Sequence, residues 1–436
     1  MSAIATDFQK AYQTVGQSES PEWLKGVREK GFSRFETTGF PTRKDEEWKY
    51  TSVKSIQDRS FKLAVKSSDP DLSRYQDFLS PDFTELVFID GVYSESHSRV
   101  SDLPQGLTVT PLERAIAEED AHVKSFLLEN RVGPNNPFAS LNTAFVRNGA
   151  FIQVADKTVC KRIIHLAYIF TGETPDLMCF PRNVIQIGAS SQVGILESHI
   201  CREKNAAYFS NAVTEMAIGA NARVDYCKIQ ADSMAAYHVS DTRITQASDS
   251  NLESCCLTTG GKLVRNNLAI LIEGSGVHAG LDGLYTIRGD QHVDNHTEVD
   301  HRQPNSTSSQ LYKGILRDKS RAVFNGKIFV RRPAQLTNAY QLNRNLLLSP
   351  DAEADTKPQL EIFADDVRCT HGATIGKLNE VELFYLQSRG ITRENAVRMM
   401  SRGFGEEVLL QIKNESLREK LSRVFGEYFL DAESRK

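Results

Sequence analysis

A chain of 436 residues, 40% hydrophobic and 25% charged, is long enough for two or three domains around a sizeable core. Its 52 basic and 56 acidic residues leave a net charge of −4, which argues against nucleic acid as the main partner, since phosphate binding calls for a basic surplus or stripe. No apolar run approaches the ~20 residues that span a bilayer, and residues 1–30 mix acids (Asp7, Glu19, Glu22), bases and polar groups without the apolar stretch of a secretory leader. A membrane role is not expected, and the cytoplasm is the expected location.

Residues 1–60 read as helix and loop. Pro21 marks a helix start, Trp23, Leu24, Val27 and Phe35 supply an apolar face, and Gly39 and Pro41 stop the pattern. The charged run Arg43–Lys49, interrupted by Trp48, reads as a solvated face, with a docking surface as the alternative. Short strands follow, such as Glu85–Ile89 before the turn pair Asp90-Gly91, and then one helix over 111–129, where Leu112, Ala115, Ile116, Val123, Phe126 and Leu127 recur at helical spacing.

From about 145 to 368 the pattern changes to short β-branched runs separated by Gly, Asn, Asp and Ser. Ile187-Gly188-Ala189-Ser190-Ser191-Gln192-Val193 returns as Ile218-Gly219-Ala220-Asn221-Ala222-Arg223-Val224, and looser echoes stand near Asp249 and Gly276. A period of roughly 25–30 residues with one turn-rich corner predicts the stacked coils of a solenoid. A β-sandwich is the competing architecture, but Asn-Gly hairpin signals occur only at Asn148-Gly149 and Asn325-Gly326. The expected organisation is an N-terminal helical and mixed domain (1–140), a mainly β solenoid core (141–368) and a C-terminal helical domain (369–436). In the last, Leu378, Val381, Leu383, Phe384 and Leu386 form a helix ended by Gly390. Thr392 caps a second helix closed by Gly403, and a third run carries Val408, Leu409, Leu410 and Ile412. Leu378, Phe384, Tyr385, Met399, Met400 and Phe404 are expected mostly in the core of this bundle, some of them forming a groove for another protein.

Two constellations carry metal-ligand chemistry. The first is Cys369-Thr370-His371: on an extended strand these two side chains share a face about 7 Å apart, a thiolate and an imidazole suited to a thiophilic metal or an iron–sulfur fragment. Two ligands leave the coordination sphere unfinished, so another chain must supply the rest. The second is His292-Val293-Asp294-Asn295-His296-Thr297-Glu298-Val299-Asp300-His301, whose even positions share a strand face. Spread over ~27 Å at ~3.4 Å per residue, they do not converge on one ion and read as a solvated or partner-facing polar strand. The other six cysteines (160, 179, 201, 227, 255, 256) contain no Cys-x-x-Cys pair and read as small buried hydrophobes of a reducing compartment. Gly260-Gly261-Lys262 and Gly376-Lys377 lack phosphate-loop spacing, and Leu378 stands where the magnesium-binding hydroxyl belongs, so no ATPase activity is expected.

Phe40-Pro41-Thr42-Arg43-Lys44-Asp45-Glu46-Glu47-Trp48-Lys49-Tyr50-Thr51 and Asp355–Thr374, ending in Arg368-Cys369-Thr370-His371-Gly372-Ala373-Thr374, closely resemble the two signatures of the SufB/SufD family of iron–sulfur cluster assembly proteins. The resemblance spans nearly the whole chain and is closest to the SufD branch. It implies a right-handed parallel β-helix and a non-catalytic scaffold that pairs with SufB and docks the ATPase SufC through the C-terminal helices. A homodimer is the expected state when the partners are absent. By the same carry-over, His371 and then Cys369 would contact a transient iron–sulfur cluster or iron at the SufB interface, with no cluster held stably by the chain alone. Where SufB carries His-Glu-Ala this chain has His371-Gly372-Ala373, and the run Asn343–Leu348 lacks the cysteine expected in SufB. The alternatives are a SufB-like scaffold that builds the cluster itself and, from another class, a β-helix enzyme acting on carbohydrate through Asp294, Glu298 and Asp300.

Overall fold

The computed structural model describes residues 5–16, 20–64, 69–101, 103–129 and 136–430. From Ala150 to Gly376 the chain alternates between two sheets, laying each strand parallel to the one a full turn earlier, and builds a β-solenoid of about eight turns. Offsets between paired strands run from 26 residues (Tyr237 opposite Leu263) to 33 (Phe151 opposite Val184). The corner echoed in the sequence is where the chain passes from the first sheet to the second. Ser190, Asn221, Asp249 and Asn305 stack there with positive φ near 60°, a conformation that Asn and Asp tolerate better than most residues. Their backbone N–H groups donate to the next turn, Ser190 to Ala220 O at 2.8 Å and Asn221 to Ser248 O at 2.9 Å, so the corner is itself hydrogen-bonded. Gly276 (φ 70°) takes the place in this column between Asp249 and Asn305, where a Cβ would stand 2.2 Å from Asp249 Oδ1.

Side chains alternating inward fill the lumen with Ile185, Ile195, Ile244, Leu252, Ile270, Leu281, Val293 and Phe324, all fully buried. Each contributes about 1.5–3 kcal/mol of hydrophobic stabilisation. The start of the stack is closed by the chain itself. Val92–Arg99 turns back antiparallel onto Thr84–Ile89 through the left-handed pair Asp90-Gly91, and Leu107–Pro111 runs antiparallel to Ala150–Val154.

Helix Glu22–Thr38 begins after Pro21 and ends at Gly39 as its pattern predicts, and it packs on Pro137–Ala144. The predicted helix 111–129 is two helices, Leu112–Ala117 and Ala121–Glu129, because Glu119 turns left-handed (φ 54°) and the Asp120 carboxylate accepts from His122 N and Val123 N. The last solenoid strand, Val367–Gly376, continues through the expected 368/369 boundary. Beyond it the second helix runs Arg393–Leu409, straight through Gly403, where the sequence signalled a stop. Gly405 is a contact glycine: a Cβ there would meet the Phe425 ring at 2.5 Å. The run Val408–Ile412 therefore finishes the second helix, and a third helix, Glu415–Leu430, follows it.

Candidate functional site

The position of Cys369 and His371 follows from strand register. In Val367–Gly376, Cys369 lies opposite Ala339 and His371 opposite Gln341, and these lie in turn opposite Ser308 and Gln310. All four of those earlier residues are buried, so the two columns face the lumen. Among the described residues no strand pairs beyond Val367–Gly376, and its inward side chains lose the neighbour that covered each preceding turn. Cys369 is half-buried against Ile328, Val330 and Ala339, and His371 is exposed. The run leading to them is not one strand. Glu353–Ile362 ends the first sheet, the chain turns at Phe363–Asp366, and the second sheet resumes at Val367.

Partial burial raises the Cys369 thiol above its ordinary pKa, so metal binding there requires a cation, the metal itself or a partner's charge, to drive off the proton. Among the described residues no three or more His, Cys, Asp or Glu side chains converge on a metal position. The chain therefore places one thiol and one imidazole at the open end of the solenoid. Behind them the lumen turns polar, a feature the sequence reading missed. Gln341 Nε2 donates to Gln310 Oε1 at 3.1 Å, Thr297 Oγ1 donates to the same oxygen at 2.8 Å, and Gln341 Oε1 and Gln310 Nε2 lie buried without partners. Asn343, Asn345 and the Tyr285 hydroxyl continue the network. The alternation Gln341-x-Asn343-x-Asn345 was the available signal, since inward positions recur every second residue on a strand.

The six apolar residues singled out near the C-terminus separate. Phe384 (72% exposed), Tyr385 (57%) and Met399 (54%) stand on the surface with Val381, while Leu378, Met400 and Phe404 are half-buried. The expectation that they form the bundle's core is overturned. That core consists instead of Val408, Leu409, Ile412, Leu417, Leu421, Val424 and Phe425, packed on the outer face of the second sheet against Leu196, Ile229, Leu257, Leu284 and Ile315. Lys313, buried on that sheet, pins the second helix by donating to Phe404 O at 3.1 Å and pairing with Glu407. The first helix, Glu380–Ser388, buries only Leu383 and leaves its apolar face open.

The polar strand His292–His301 is neither solvated nor convergent. It seats the charged N-terminal motif. Thr51 Oγ1 lies 2.8 Å from His292 Nε2 and donates to Asp294, Arg265 Nη1 lies 2.6 Å from Asp294 Oδ2, and His296 bridges Asp294 and Glu47. The Arg265 guanidinium lies 4.4 Å over the Trp48 ring. Asp300 is held by Arg302 and Arg331. With Asp294 and Asp300 committed to ion pairs, the carbohydrate-enzyme reading loses two of its three carboxylates.

Comparison with known sequences agrees with this geometry. The profile described as SUF system FeS cluster assembly, SufBD core domain, matches residues 169–404, and the SufBD protein N-terminal region matches residues 4–166. The chain belongs to the SufBD family. An iron–sulfur cluster assembly SufBD family protein of Synechocystis is 34% identical over 87% of this chain and 86% of its own length. The iron–sulfur cluster assembly protein SufD of Escherichia coli is 29% identical over 89% of each chain, and the SufD of Bacillus subtilis is 25% identical over 97% of each. Both sequence signatures fall within the matched SufBD regions, the N-terminal motif in one and Cys369 and His371 in the other. Among the described residues no helix is long and apolar enough to cross a membrane.

Proposed function

We propose that this chain is a non-catalytic scaffold that presents the open end of its solenoid to a sister SufB subunit, so that a nascent iron–sulfur cluster is completed across the joint. The observation that carries this reading is the ligand pair, Cys369 and His371, on the last strand of the second sheet, whose outer edge has no partner among the described residues. His371 contributes neutral imidazole and Cys369 a thiolate formed only on metal binding, and the cluster is cargo of the joint complex. The ATPase SufC docks on the exposed face of Val381, Phe384, Tyr385 and Met399. Because the neighbouring helices are bolted to the second sheet through Lys313, nucleotide-dependent movement of SufC is transmitted to the solenoid. In the absence of partners two copies pair through the same end, and the complex works in the cytoplasm.

The test is co-purification with SufB and SufC, with anaerobic reconstitution of each chain alone and together. A chromophore is expected only in the joint complex, lost in His371→Ala while assembly persists. A cluster formed on this chain alone supports the SufB-like reading instead, and one that survives in the complex with both Cys369→Ala and His371→Ala overturns the site. SufC docking is tested with Phe384→Ser and Tyr385→Ser, because deleting residues 375–436 would also strip the buried cover of the second sheet. Unchanged SufC binding by the double variant removes that assignment.

A further inference from the structure

The seat of the N-terminal motif encloses a cleft of about 390 Å³ on the outer face of the first sheet, separate from the lumen that carries the ligand pair and within the size range of small-molecule sites. Two rows of side chains cross it in register. One runs Asp241, Asn267, His296, Asn325, and the other Arg243, Ala269, Glu298, Lys327. Most of the charges here are mutually satisfied: Glu47 pairs with Lys327 and His296, and Arg265 with Asp294. Three are not. Asp241, only 8% exposed, accepts from Asn136 Nδ2 at 2.7 Å and Asn267 Nδ2 at 3.0 Å through Oδ1 alone, and its Oδ2 is buried without a partner. Arg243 and Glu298 line the cleft without a hydrogen bond or close ion pair among the described residues, their charges attracting each other only at longer range across Ala269.

A buried, unpartnered carboxylate oxygen is costly unless something donates to it. Asp241 and Arg243 are alternate residues of one strand, about 7 Å apart at Cα on the same face, so a carboxylate with one unbonded oxygen and a guanidinium with no hydrogen bond are offered side by side. Between Arg243 and Glu298 the sheet carries only the methyl group of Ala269, which leaves the floor open. We infer that the cleft binds an α-amino acid as its zwitterion, the ammonium group donating to Asp241, the carboxylate held by Arg243, and a hydrogen-bond-donating side chain lying over Ala269 toward Glu298. A simple anion would leave Asp241 Oδ2 without a donor, and a simple cation would leave the Arg243 guanidinium without a hydrogen-bond acceptor. Trp48 and Glu47 wall the cleft, which gives the N-terminal motif a role beyond its own anchoring.

The experiment is titration calorimetry of the full chain with L-serine and L-glutamine, alongside propionate and ethylamine, each lacking one of the two charges. Both amino acids are expected to bind, with affinity falling at least tenfold for either single-charge analogue and for Arg243→Gln and Asp241→Asn. Ala269→Phe, which fills the floor without touching a charge, should abolish binding while leaving the melting temperature near that of the wild type. Absence of heat with either amino acid at millimolar concentration overturns the inference. So does equal binding of propionate or ethylamine, or unchanged affinity in Arg243→Gln.

Discussion

The two ends of the solenoid handle the same physical problem in opposite ways. A sheet edge presents unpaired N–H and C=O groups and pairs with any strand that offers itself unless it is blunted. At the start, the strand Val92–Arg99 ends the second sheet with Glu95, His97 and Arg99, its pairing with Thr84–Ile89 is irregular between Glu85 and Val87, and Leu107–Pro111 ends the first sheet in a proline. At the finish, Pro358 stands within the first sheet's last strand, but Val367–Gly376 offers the second sheet's edge with no proline; Ile362 and Phe363 are exposed at the corner where that strand begins, and Ile375 is exposed near its other end. Of these edges, the last strand of the second sheet is the least protected, and it is the edge that the proposed joint would cover.

The largest expected difference between the ends is in stability. Phe88, fully buried at the start and stacked on Tyr168 with centroids 4.6 Å apart, should cost about 3–5 kcal/mol when replaced by alanine. Phe363→Ala at the finish should stay within about 0.5 kcal/mol, because the ring has little protein to leave. Urea unfolding midpoints measure both, and comparable losses at the two sites would erase the distinction. Next in size is association. Phe363→Lys with Ile375→Lys places charge on the apolar rim and should weaken pairing with SufB, and self-pairing of the lone chain, by tenfold or more, about 1.4 kcal/mol. Sedimentation velocity of each mixture is the readout, and unchanged association would place the interface elsewhere.

A smaller effect separates chemistry from packing at the same end. His371 is exposed, so His371→Ala should leave the melting temperature within a degree or two of the wild type, yet abolish the cluster chromophore of the joint complex. Loss of stability in step with loss of the chromophore would assign the imidazole a packing role.

What could be read from the residues alone follows the range of the interactions. The corner column was legible because each turn repeats a local requirement, a left-handed residue flanked by small ones, at Ser190 and again at Asn221. Helix ends at Gly39 and Thr392 were legible for the same local reason; the Thr392 hydroxyl accepts from Asn395 N at 3.3 Å. Gly403 misled because its stop signal was outweighed by tertiary packing two residues on, where Gly405 admits the Phe425 ring. The strand His292–His301 misled because its cover arrives from Thr51, 241 residues earlier in the chain. Of the candidate site, spacing supplied the pair Cys369 and His371 and their common face. The polar lumen behind them and the exposure of Phe384 and Tyr385 depend on which strand is last and which helix is left unpacked, and no local pattern encodes either.

Thiol reactivity reads the difference between the ends without perturbing either. Cys179, beside the turn Asp90-Gly91 at the closed end, is buried, and burial raises its thiol far above the ordinary range. Cys369 is also raised by burial, but it is only half-buried at an open mouth. The thiolate is the nucleophile, so below the thiol's pKa the alkylation rate of Cys369 should climb about tenfold per pH unit, while Cys179 stays unmodified until the chain unfolds. The sign is fixed by the protonated thiol being the favoured form in both cases: raising the pH exposes reactivity and lowering it suppresses it. Iodoacetamide labelling followed by peptide mass spectrometry between pH 7 and 9 should find Cys369 modified first, and docking of SufB should suppress that labelling at every pH. If Cys179 labels as fast as Cys369 in the folded chain, the start of the solenoid is open as well. If SufB leaves Cys369 fully reactive, the thiol lies outside the joint and His371 alone faces the cluster.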